Sequence, residues 1–131
     1  MERKFIRLAA IFGFLAVALG AFGAHGLKKL IDAAQIATFE TGVRYQFYHA
    51  LALLAVGILA GKHPSKNLNI AGWLFVAGII CFSGSIYLLS TKTVLGIENT
   101  ALLGPITPIG GTLFLAGWIF IFLEASKWKS F

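Results

Sequence analysis

Carboxylates are scarce in this chain: five Asp and Glu stand against eleven Lys and Arg in 131 residues. Glu40, Glu98 and Glu124 sit at the edges of the long apolar runs, and Glu2 and Asp32 lie outside them. A small exporter that trades protons for cations needs a carboxylate buried in the membrane, so that activity is disfavoured. Charge of both signs makes up 12% of the residues, about half the roughly 25% usual in soluble domains. Cysteine is limited to Cys81, inside an apolar segment. It permits no intrachain disulfide, carries no metal-ligand spacing and leaves the redox compartment unread. No serine or cysteine nucleophile has a base nearby, and two histidines with Glu40 follow no metal-binding spacing. The expectation is a protein that is not an enzyme and uses no cofactor or metal. Basic stripes with interleaved aromatics are missing too, so the net charge of +6 and the pI near 9.8 do not point to nucleic acid.

Apolar residues are what the chain has in excess: 58% of it is hydrophobic, and its mean hydropathy is +0.84. A fold this small has too little interior to hide such an excess, so lipid must solvate most of it. Four runs are long enough to cross a bilayer, at about residues 6–27, 43–61, 68–91 and 101–124. The connections between the later runs are too short to hold a soluble domain. The expected fold is therefore an all-α integral membrane protein: a single four-helix transmembrane bundle over residues 1–131. The basic leader and the small residues near Gly20 resemble a signal peptide, but the first run is longer than a usual h-region and three more follow. An uncleaved first helix is expected.

Lys and Arg set the orientation. With four spans, one side holds Arg3, Lys4, Arg7, Lys62, Lys66, Lys127 and Lys129, and the other holds Lys28, Lys29, Arg44 and Lys92. The richer side belongs in the cytoplasm, which puts both termini there. Trp73, Trp118 and Trp128 then fall toward the cytoplasmic ends as interfacial anchors.

The first connection differs from the others. Asp32 with Gln35 resembles a capping box, so a helix should start near Ala33. From there Ile36, Phe39, Val43, Phe47, Ala50 and Leu54 recur at helical spacing into the second span. Such a helix outruns the hydrocarbon core, so either its first turns stand in the outer interface or it bends near Gly42. An amphipathic start at the outer surface, leading into the second span, is expected.

Several polar residues gather at the outer ends of the runs. Glu40, Arg44 and Tyr48 share one helix face, with Tyr45 and His49 on the neighbouring one. They read either as a self-neutralising pair with interfacial anchors, or as a ligand or proton site, since an ionisable residue at membrane depth marks function by default. His25 ends the first run in GAFGAHG, whose glycines at positions 20, 23 and 26 invite a neighbouring helix. Ser83 and Ser85 flank Gly84 in the third run, the pattern of close packing and backbone hydrogen bonds. The fourth run opens Gly104-Pro105-Ile106-Thr107-Pro108. Thr107 suits an N-cap and Pro108 a first helical residue, leaving irregular backbone before them. Together, His25, Glu40, Arg44, Tyr45, Tyr48, His49, Ser83, Ser85, Thr107 and Pro108 define a candidate pocket in the outer half of the bundle.

GAFGAHGL, the run from Thr41 through Tyr45-Gln46 and Tyr48-His49, FSGSIY from Phe82 and GPITPIGG from Gly104 resemble, in order and over nearly the whole chain, the family of small uncharacterised bacterial membrane proteins that includes YgdD and YwdK. The resemblance implies a four-helix integral protein of the plasma membrane and carries no established activity or catalytic residue. Two functions follow as expectations. One is a non-catalytic component whose outer pocket binds a lipid, a small ligand or a partner's segment. The other is a small oligomeric channel or carrier lined by Thr107, Pro108 and His49. Membrane lipids are expected partners, along with a second copy or another membrane protein.

Overall fold

A bilayer offers no water to satisfy backbone amides, so each apolar run must close its own hydrogen bonds as a helix. The computed structural model describes residues 2–130 and builds four helical spans. α1 runs Glu2–Ala24 and is followed by a short 3-10 turn, Leu27–Lys29. α2 runs Ala33–Lys62 without a break, 30 residues or roughly 45 Å. Its start is the capping box expected from the sequence: Asp32 accepts from the Gln35 amide at 2.8 Å, and the Gln35 side chain accepts from the Asp32 amide at 3.4 Å. The helix is unbroken through Gly42, so its first turns continue the span.

The third span is composite. α3, Lys66–Gly78, is capped by Ser65, whose hydroxyl accepts from the Leu68 amide at 3.1 Å. A π-helical turn, Ile79–Ser83, joins it to α4, Gly84–Ser90. Its extra residue re-aims the side chains that follow. One further turn, α5, Lys92–Leu95, ends at Gly96, whose φ of 72° suits only a residue without a Cβ.

α6, Leu103–Ala125, corrects one expectation. The helix is already formed at Leu103, so Thr107 is not its N-cap and Pro108 is not its first residue. Pro105 falls in the first turn, where its missing N–H has no helical acceptor anyway. Pro108 lies inside the helix and costs one hydrogen bond, to Gly104, at a residue with open space around it.

Three phenylalanine–glycine contacts set the helix spacing. Phe5 lies over Gly72, Phe114 over Gly78 and Phe75 over Gly117, each ring occupying the place a Cβ would take. Around them Leu53, Val56, Leu68 and Ala71 are fully buried, forming the core at the end that carries both termini. On the flank between α1 and α2, Gly20 faces Val43 and Gly23 faces Phe39, as the glycine spacing anticipates.

The stripe that α2 turns inward coincides only in part with its apolar residues at helical spacing. Phe39, Gly42, Gln46, His49, Leu53, Val56 and Ala60 are buried, whereas Phe47 and Leu54 face outward. In lipid the bulky apolar side chains can face the solvent, and small or hydrogen-bonding ones are left for the helix contacts.

Candidate functional site

The buried polar residues of α2 are the start of a hydrogen-bonded ladder that reaches each of the other three spans. Gln46 donates through Nε2 to the carbonyl of Phe12 on α1 at 2.8 Å and accepts from the Tyr87 hydroxyl on α4 at 2.6 Å. Ser83, fully buried, donates to the carbonyl of Gly42 at 2.7 Å. That contact needs glycine at 42, because a Cβ there would lie 2.9 Å from both Ile86 and Tyr87. Ser85 and Thr107 share a hydroxyl–hydroxyl bond of 2.5 Å, and Ser85 also reaches the carbonyl of Phe82 at 3.0 Å.

His49 is fixed on every side. Its Nδ1 lies 2.8 Å from the carbonyl of Tyr45, and its Nε2 lies 3.0 Å from the indole Nε1 of Trp118. A carbonyl can only accept and an indole N–H can only donate, so the ring is the neutral tautomer with its proton on Nδ1. The ring stacks on Phe114, centroids 3.6 Å apart and planes within 7°. Both nitrogens are thereby committed. Neither is open to a metal or a transferable proton without breaking one of these two contacts. Among the described residues no three His, Cys, Asp or Glu side chains gather as a metal site.

The ten candidate residues therefore separate. His49, Ser83, Ser85 and Thr107 belong to the internal ladder. His25, Glu40, Arg44, Tyr45, Tyr48 and Pro108 lie on the outside of the bundle. His25 sits just beyond α1, its amide held by the carbonyls of Ala21 and Phe22, and it does not join His49. Arg44 donates through Nη2 to the Thr41 hydroxyl at 3.2 Å and, among the described residues, pairs with no carboxylate, Glu40 included. It lines an external groove of about 340 Å³ between α1 and α2, with Ala16, Gly20, Ala21, Val43 and Tyr48.

The ladder reaches mid-span: Phe12 is the eleventh of α1's 23 residues, so Gln46 sits near the middle of the bundle. Gln46, Tyr87 and Trp118 were missing from the sequence-based set. For Gln46 the signal was its place three before His49 and four after Gly42, on one heptad-like stripe. The indole N–H of Trp118, read from the sequence as an anchor, is spent on His49. A second polar cluster, at the other end, was also missed: Glu124 is buried and accepts from Asn67 at 3.1 Å, with Lys127 at 3.7 Å.

The family described as "Protein of unknown function (DUF423)" matches residues 19–111. The UPF0382 membrane protein YwdK of Bacillus subtilis (strain 168) is 46% identical over 127 residues, 96% of this chain and 98% of its own. A UPF0382 membrane protein of Haemophilus influenzae (strain ATCC 51907 / DSM 11121 / KW20 / Rd) is 42% identical over 131 residues, 99% of both chains. SAB0533 of Staphylococcus aureus (strain bovine RF122 / ET3-1), also named a UPF0382 membrane protein, is 46% identical over 125 residues, 95% of this chain and 97% of its own. No solved structure matches. With four spanning helices and relatives named as membrane proteins along nearly its whole length, the chain is a multi-pass membrane protein and belongs to the DUF423 family.

Proposed function

We propose that the protein is a non-catalytic component of the bacterial plasma membrane, with both termini in the cytoplasm, that seats a phospholipid in the groove between α1 and α2. The observation that carries this reading is Arg44, an exposed guanidinium without a carboxylate partner among the described residues, set on an apolar groove. A guanidinium keeps its charge and matches phosphate oxygens with a fixed fork of donors. Ala16, Gly20 and Ala21 leave the groove smooth and apolar, as an acyl chain requires. Tyr48 beside Arg44 supplies an amphipathic ring suited to the headgroup boundary. The orientation rests on seven Lys and Arg against four on the two sides.

The non-catalytic part is supported by the ladder, whose members already spend their hydrogen-bonding capacity on one another. A solute path needs polar groups that face water. Ser83→Cys in a Cys81→Ala background is therefore expected to resist a water-soluble thiol reagent, and ready labelling would favour a channel or carrier instead. For the groove, a phospholipid with a photoreactive group on its acyl chain should label α1 over residues 16–21. Ala21→Phe fills the groove from an exposed position, and Arg44→Gln removes the charge; each should reduce the labelling several-fold. Unchanged labelling in both variants would overturn the lipid reading.

A further inference from the structure

A second crevice opens at the opposite end of the bundle, between the first two turns of α1 and the side of α3. It encloses about 570 Å³, with walls of Arg3, Lys4, Arg7 and Leu8 from α1 and Trp73 and Val76 from α3. Trp73 is held firmly as one wall. The buried ring of Phe5 meets it edge-on with centroids 5.5 Å apart, and the Lys4 ammonium stands 5.3 Å from its ring centre. It nevertheless remains 42% exposed. The carboxylate nearest in sequence, Glu2, turns to the other flank of α1, where its Cβ and Cγ lie 3.6 Å from the place a Cβ on Gly61 would take. The crevice thus has three cations and no acid among its lining residues, above an apolar wall of Leu8 and Val76.

This arrangement costs the free protein something. Arg3 and Arg7 are like charges one turn apart, and Lys4 and Arg7 are three apart, spacings at which like charges repel along a helix. An anion between them removes that repulsion. Its remaining part must be apolar, because Leu8, Trp73 and Val76 continue the crevice away from the charges.

We infer that this crevice binds an anionic phospholipid, its phosphate between Arg3, Lys4 and Arg7 and the upper part of an acyl chain against Trp73, Leu8 and Val76. A zwitterionic lipid offers the same phosphate but brings an ammonium into a group of cations, so the site discriminates by headgroup charge. Basic pockets beside membrane helices bind anionic headgroups in this way. The site lies at the other end of the bundle from the α1–α2 groove and shares no residue with it, so either stands if the other falls.

Native mass spectrometry of the full chain, titrated with equal amounts of phosphatidylglycerol and phosphatidylcholine, tests the inference. Each basic residue near a membrane surface strengthens anionic-lipid binding about fivefold, so the wild type should prefer phosphatidylglycerol by at least about tenfold. Arg3→Gln/Lys4→Gln/Arg7→Gln should abolish most of that preference. Lys62→Gln/Lys66→Gln/Lys129→Gln removes the same charge from the same end but outside the crevice, and should keep it. Arg44→Gln, which disables the other groove, should keep it as well. Glycerol phosphate, which lacks the chain, should not displace the lipid. No preference in the wild type, equal losses in the two triple variants, or displacement by glycerol phosphate would each overturn the inference. All substituted positions are exposed, so the bundle should fold in every variant.

Discussion

At the end of the bundle that carries both termini, Phe5, Leu53, Val56, Leu68 and Phe75 pack with almost no exposure, and glycines accept the rings. Around the middle and toward the other end, the same four spans meet through Gln46, His49, Ser83, Ser85 and Thr107. Lipid tails are as apolar as leucine, so neither region gains from the hydrophobic effect as a soluble core does. The packed end is held by dispersion between close surfaces, which depends on fit and can tolerate small slides. The hydrogen-bonded region fixes register. Gln46 meets one particular carbonyl on α1 and one hydroxyl on α4, and a shift by one residue would break both bonds.

Phe5→Ala is the severest way to break the packed end. It empties the space over Gly72 and removes the edge contact with Trp73, and should lower stability by about 3 kcal/mol. Denaturant unfolding in detergent micelles measures it; a loss below about 1 kcal/mol would mean that the surrounding helices collapse into the space.

Gln46→Leu probes the hydrogen-bonded region and should cost about 1–2 kcal/mol, the upper range for interhelical hydrogen bonds in membranes. Tyr87→Phe removes the same bond from its other side, so the double variant should lose less than the sum of the two. Strict additivity would show that the 2.6 Å contact contributes nothing of its own.

How far the sequence disclosed this comparison depended on how local each signal was. The start of α2 was readable because Asp32 and Gln35 satisfy each other within one turn. The inward face of α2 was not legible, because apolar residues at helical spacing do not mark it in lipid: Phe39 and Ala50 are buried, whereas Phe47 and Leu54 can face lipid. The ladder was half legible: Ser83, Ser85, Thr107 and His49 stood out as polar residues within or at the ends of apolar runs. Gln46 was left out of the candidate set, and Trp118 was read as an anchor, because their partners lie 41 and 69 residues away. The π-helical turn at Ile79–Ser83 leaves no local mark, and the close contact it makes, Gly110 of α6 against the backbone of Phe82, is far away in sequence. The groove and the crevice are surfaces between helices, and only the packing defines them.

The smallest expected effect tests whether polarity at the packed end matters at all. Glu124 is buried there, yet it is the second-last residue of α6 and so lies close to the membrane boundary. Its partner Lys127 is 66% exposed and reaches it only at 3.7 Å. An exposed lysine gives up side-chain freedom to hold such a pair, and water screens what remains. Lys127→Gln should therefore change stability by no more than about 0.5 kcal/mol. Asn67→Ala should cost more, roughly 1 kcal/mol, because it removes the 3.1 Å donor from a buried oxygen. Both should fall short of Gln46→Leu, because water can reach Glu124 at the helix end but not Gln46 in mid-bundle. If Lys127→Gln matched Gln46→Leu, the packed end would depend on charge as much as on fit, and the contrast between the two regions would disappear.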